Sequence, residues 1–133
     1  MKHASTLASV LLGLAFITFG ANFFLNFIPM PADPSPADAP HKLFMAAMFP
    51  TGYLAFVKVL ELVGGVLIAI PVARRAGLLI LGPIMVNILA FHVFVTGGEG
   101  LLDPPLLILT ALMLFLTWAE RAAFIAFLRP TAR

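Results

Sequence analysis

The sequence predicts an all-α membrane protein: a bundle of four transmembrane helices with a short interfacial helix in the first outer loop, one domain over residues 1–133. Three observations predict it. Of the 133 residues, 62% are hydrophobic and 11% charged, more apolar surface than a soluble interior of this size can hold. The apolar residues collect into four runs, each near the roughly 20 residues that carry a helix across about 30 Å of hydrocarbon. Most of the prolines and charges fall between the runs. Backbone groups in hydrocarbon must be satisfied within their own segment, so each run is read as a helix.

The first span covers about 4–28. Lys2, the apolar run and the small pair Gly20-Ala21 also fit a cleavable signal peptide. Against this, the apolar character continues through Phe23, Phe24, Leu25, Phe27 and Ile28, which makes the run span-length. The first outer loop holds Pro29, Pro31, Pro34, Pro36 and Pro40, so it should be extended and stiff. Asp38 is placed to cap a short helix from His41 to Phe49, with Leu43, Phe44 and Met45 available to rest on the bilayer surface. That helix either covers the bundle or forms a lid over a buried site. The second span covers about 51–70, the third about 76–95 and the fourth about 105–127, separated by Pro71–Arg75 and Thr96–Pro104.

An even number of spans puts both termini on one side. Lys2, Arg74, Arg75, Arg121, Arg129 and Arg133 lie on that side, whereas the other has Lys42 with Asp33, Asp38, Glu99 and Asp103. Basic residues are retained inside, so the expectation is a plasma (inner) membrane protein with both termini cytoplasmic. Trp118 and Tyr53 fit the interfacial aromatic belts. The formal charge of +2 offers no polybasic footprint for nucleic acid. Cysteine is absent, which excludes thiolate nucleophiles, iron–sulfur ligation and thiol-ligated zinc. Redox chemistry in this chain therefore needs a borrowed cofactor, none being expected as intrinsic.

Lys58 and Glu61 lie inside the second run, where a central charge costs about 2.5 to 3.5 kcal/mol on insertion scales. Three residues apart on a helix, they are neighbours able to pair or share a proton. At 1.5 Å rise per residue they sit about 10 Å and about 15 Å below the outer end of their helix. Asn22, Asn87 and Thr110 fall about 9, 13 and 8 Å below the outer ends of theirs. One polar layer is thus expected, with Thr18, Asn22 and Asn26 on one face of the first span and Lys58, Glu61 and Gly65 on one face of the second. Pro83, one turn before Asn87, adds backbone irregularity. His92 lies about 140° around its helix from Asn87 and nearer the surface. It reads as an interfacial histidine; a metal set of His41, His92 and Glu99 or Asp103 has no supporting spacing.

Gly13-Leu-Ala-Phe16, the Thr51-Gly52-Tyr53 entry, Lys58 three before Glu61, Gly64-Gly65, and Pro83-Ile84-Met85-Val86-Asn87-Ile88 with Phe91-His92 follow in order. Over nearly the whole chain this resembles the DoxX and DoxX-like family of small four-helix membrane proteins. The resemblance implies a four-helix bundle and, by the family's founding member, a subunit of a membrane thiosulfate:quinone oxidoreductase. It places Lys58, Glu61, Asn87 and His92 at the polar centre. The leading expectation is a subunit, or a small-ligand site for a quinone, in a membrane redox process. Lys58 and Glu61 are its reacting groups, and Asn22, Asn26, Asn87, His92, Thr110 and Tyr53 its binding residues. The expected partners are the lipid bilayer and a redox subunit or a second copy. Two further readings stand beside it: a small proton-coupled transporter using Glu61, and an assembly subunit in which the pair only pins helix packing.

Overall fold

The computed structural model describes residues 1–129, and every regular element among them is helical. Helix α1 spans Lys2–Leu25, α2 Pro40–Met48, α3 Tyr53–Ala69 and α4 Arg74–Ala90, the last prolonged by a π-helical turn over Phe91–Val95. Helix α5 spans Pro104–Ala119 and α6 Arg121–Leu128. Two segments, Lys2–Leu25 and Arg74–Val95, are long and apolar enough to cross a membrane. The number rises to four if each bent pair, α2 with α3 and α5 with α6, is one span. The chain is a multi-spanning membrane protein.

Adjacent glycines on α3 meet different neighbours, because successive helical residues point about 100° apart. A Cβ on Gly65 would lie 3.0 Å from the Gly13 carbonyl oxygen of α1, and one on Gly64 would lie 2.6 Å from Leu81 Cδ2 of α4. Helix α3 therefore stands at a corner between α1 and α4. Helix α5 closes the ring against α1 and α4. Along α1, Gly13 meets Gly65 to Ala69 while Gly20 meets Lys58 and Leu62, so α1 and α3 are antiparallel. Lipid tails offer no hydrophobic drive to pair helices, and close approach at small residues replaces it. Leu12, Ile68, Leu81 and Leu116 are fully buried, one from each helix of the ring.

The outside of the ring is apolar in helical stripes. On α3 the exposed residues Phe56, Val59, Val63 and Val66 recur every three or four positions. Helix α5 shows Leu107, Ala111, Leu114 and Trp118 in the same way. In water such stripes would be an aggregation surface, whereas against lipid they are the expected exterior.

Several boundaries differ from expectation. Helix α1 stops at Leu25 instead of running to Ile28, because Asn26 takes the left-handed conformation (φ 49°) that ends helices. Ala39, not Asp38, is the N-cap of α2 and has no side-chain cap bond; the helix opens on Pro40, whose missing N–H would be unused there anyway. The α2 axis turns 85° into α3 through Gly52 (φ 77°), so α2 lies across the end of the bundle. Helix α5 does not continue to residue 127: it breaks at Glu120, and α6 departs at 61°. Arg121 Nη1 donates to the freed Trp118 carbonyl at 2.7 Å, and its guanidinium covers the Trp118 ring at 4.1 Å. Arg133, counted with the basic end, lies outside the described residues.

The Pro-rich loop is tied to α2 by one carboxylate. Asp33 Oδ1 accepts the Ser35 N–H at 2.9 Å, and Oδ2 lies 2.8 Å from His41 Nε2. Lys42 donates to the carbonyls of Asp33 and Ser35. Hydrogen bonds from the Ser35 side chain and backbone, then His41, then the charge of Lys42, hold the Asp33 carboxyl well below the usual carboxylate range.

Candidate functional site

Helices α3 and α4 are in closest contact around Gly64, Ile68, Gly77 and Leu81. Toward the other end of the pair a cleft of about 310 Å³ lies between them. One wall is the face of α3 carrying Leu54, Val57, Lys58 and Glu61, and the other is Pro83, Ile84, Asn87 and Ile88 of α4. Phe44 and Met45 of α2 border it at the end, together with Phe91 and Tyr53. The Phe44 and Phe91 rings meet at 5.3 Å, which fixes α2 over the cleft. Phe44 thus borders a site instead of only resting on the bilayer surface.

Within the cleft, Lys58 Nζ donates to both carboxylate oxygens of Glu61, each at 2.9 Å. Burial is unequal: the Glu61 side chain is 4% exposed and that of Lys58 26%. The i,i+3 spacing lays the ammonium on the carboxylate within one helix, so the pair forms without help from a second element. Chemically, Lys58 is the group that a molecule in the cleft would meet first, with Glu61 behind it.

Asn87 stands on the opposite wall, exposed, and Tyr53 is at the rim. The other polar residues do not converge on the pair. The Asn22 side chain takes both backbone groups of Ile28, accepting its N–H at 2.6 Å and donating to its carbonyl at 3.3 Å. Asn26 is the C-cap of α1, and Thr18 is exposed. Thr110 donates to the Leu106 carbonyl one turn back at 2.7 Å, with Met85 Sδ at 3.9 Å. The Asn22 amide and the Thr110 hydroxyl are satisfied by nearby backbone, a pairing that depth in the bilayer does not reveal.

His92 faces a different region. Its Nδ1 lies 2.8 Å from the Ile88 carbonyl oxygen, and a Cβ on Gly100 would lie 3.2 Å from His92 Cδ2, so the ring sits under the 96–103 loop. Among the described residues no three His, Cys, Asp or Glu gather closely enough to hold a metal ion.

At the far end of the bundle the structure adds a residue that sequence reasoning passed over. Glu120 lies 2.8 Å from Arg75 Nε and 3.6 Å from Arg74 Nη1. An acid alone among the basic residues of that end was the available signal. No family model, curated protein or solved structure matches the chain.

Proposed function

We propose that this chain is a DoxX-like inner-membrane subunit with four spans and both termini cytoplasmic, and that its α3–α4 cleft binds a quinone-type ligand of a membrane redox process. The observation that carries the reading is the Lys58–Glu61 pair at the wall of an apolar cleft. A charge pair used only for packing gains nothing from facing a cavity, whereas a ligand site needs a donor within reach of one. The residues fit such a head group: the Lys58 ammonium and the Asn87 amide are donors for carbonyl oxygens on facing walls, and Phe44, Phe56 and Phe91 offer ring faces and edges. Lys58 orients the ligand oxygen, and Glu61, behind it, holds or releases the proton. The quinone supplies the redox chemistry, and with no cysteine in the chain the electrons come from a partner redox subunit.

Four spans are supported by the outward apolar stripes of α3 and α5, which match lipid-facing surface although each helix is short. The orientation rests on the basic residues gathered at the end of the bundle where α1 and α4 start.

The test is binding of a short-chain ubiquinone analogue to the protein in lipid nanodiscs. Lys58→Met and Glu61→Gln should each abolish binding while the helical spectrum is retained, and Asn87→Leu should weaken it by about tenfold, the worth of one good hydrogen bond. Unchanged affinity in Glu61→Gln and Asn87→Leu together would overturn the reading.

A further inference from the structure

The end of the bundle that holds the starts of α1 and α4 gathers the cationic side chains of Lys2, Arg74 and Arg75 around one carboxylate, Glu120. Arg74 is only 7% exposed there, a rare position for a guanidinium. Its partners are weak. Nη2 stands 3.4 Å from the Thr6 hydroxyl oxygen, and Nη1 is 3.6 Å from Glu120, beyond hydrogen-bond reach. Nε is buried and has no partner among the described residues. Glu120 compensates only in part: its Oε2 accepts from Arg75 Nε at 2.8 Å, and its Oε1 stands 3.6 Å from Arg74 Nη1. A buried guanidinium this poorly satisfied is costly, and an added acceptor relieves it.

The surroundings provide a place for that acceptor. Arg74 lines a depression of about 350 Å³ together with Lys2, Ser5, Thr6 and Glu120. Ser5 is also more than nine-tenths buried and brings a hydroxyl. Arg74 is the first residue of α4, and no side chain caps that helix. The amides of its first turn therefore lack intrahelical acceptors, and the positive end of a 17-residue helix dipole lies at Arg74. Lys2, Arg74 and Arg75 set three cations against the single carboxylate of Glu120. From the buried guanidinium and the uncapped helix start at its wall, we infer that this depression binds a phosphate-type anion. The anion is either the phosphodiester of a lipid headgroup or free phosphate. The planar guanidinium fork matches two phosphate oxygens, Lys2 adds a point charge, and Ser5 and the α4 amides supply further donors. This site is at the opposite end of the bundle from the cleft and does not depend on the function proposed for it.

Glu120 competes with the anion for Arg74, and that competition separates a binding site from a purely structural ion pair. The full chain is placed in phosphatidylcholine nanodiscs with and without phosphatidylglycerol, and retained lipid is counted by native mass spectrometry. Inorganic phosphate is titrated into the phosphatidylcholine discs and followed by phosphorus NMR line width. Wild type should retain phosphatidylglycerol over phosphatidylcholine, or broaden the phosphate line; the first identifies a headgroup and the second a free anion, and either supports the site. Arg74→Gln should lower binding about tenfold, the worth of one charge-assisted hydrogen bond, while Glu120→Gln should raise it several-fold, because the competing carboxylate charge is removed. If Arg74→Gln does not fold, Lys2→Gln and Glu120→Gln decide, with a fall and a rise expected. Absence of both responses in wild type, or Glu120→Gln binding no more than wild type, overturns the proposal.

Discussion

Gly77 rests directly on the backbone of Ile68: a Cβ on it would lie 2.5 Å from the Ile68 nitrogen and 2.7 Å from its Cα. Backbone cannot swing aside as a side chain does. Gly77→Ala should push α4 off α3 and destabilise the protein by about 1–3 kcal/mol, the usual range for overpacking. Gly82, on the same helix, has nothing within 4 Å of its Cβ position. Gly82→Ala should be neutral or stabilising by up to about 1 kcal/mol through helix propensity. Unfolding in detergent–denaturant mixtures checks both, and equal effects would contradict the packing.

The unequal burial of Lys58 and Glu61 predicts unequal consequences. Lys58→Met leaves a buried carboxylate with no cation, whereas Glu61→Gln leaves a partly exposed ammonium that can reach the open cleft. Lys58→Met should therefore lower the melting temperature more than Glu61→Gln, and the double change Lys58→Met, Glu61→Leu should recover most of the loss. A double variant no more stable than Lys58→Met would show that the charges do not act as a pair.

The loop over residues 29–39 should loosen in acid. Because the folded Asp33 carboxyl lies below its unfolded value, its stabilising contribution is fully present above the ordinary carboxylate range and is lost as pH falls through the lowered folded value. Asp33→Asn should remove that contribution at every pH. Limited proteolysis reads it: neutral cleavage within the loop should be faster in Asp33→Asn, and its rise on acidification should be seen in wild type only.

Phe44 should control entry to the cleft. The chain has no cysteine, so Asn87→Cys reports on the cleft alone. Adding Phe44→Ala removes the ring that meets Phe91 and should speed labelling by a lipid-soluble maleimide severalfold. An unchanged rate would mean that α2 does not restrict access.

The proposed orientation is tested in intact cells. Pro36→Cys should react with an impermeant maleimide and Ala122→Cys only after permeabilisation; the reverse pattern would invert the topology.

The helical content, the positions of its segments and the Lys58–Glu61 pair were all legible in the residue order, because each depends on composition or on neighbours within a turn. Apolar run length sets where a helix is needed, and i,i+3 spacing lets two side chains meet whatever surrounds them. The start of α2, expected at His41, lies one residue earlier at Pro40. The destinations of Asn22, Asn26 and Thr110 were not legible. Asn22 and Thr110 had a claim to the bundle centre by depth and Asn26 by its face of the helix, yet Asn22 pairs with Ile28, Asn26 ends α1 and Thr110 bonds back to Leu106. Helix rotation and the path of the chain after α1 decide such choices, and neither is a property of one segment.

The sequence by itself determined that this is a helical membrane protein with an ion pair on its third helix, since hydrocarbon allows few backbone solutions and no unpaired charge. Only the tertiary structure decided what that pair faces. Gly64 and Gly65 turn α3 toward two neighbours at once, tight contact at Gly77 closes one end of the α3–α4 pair, and α2 lies over the cleft that remains at the other. Packing of separate helices depends on which surfaces fit together in three dimensions, and residue order along one helix does not contain the shape of the next.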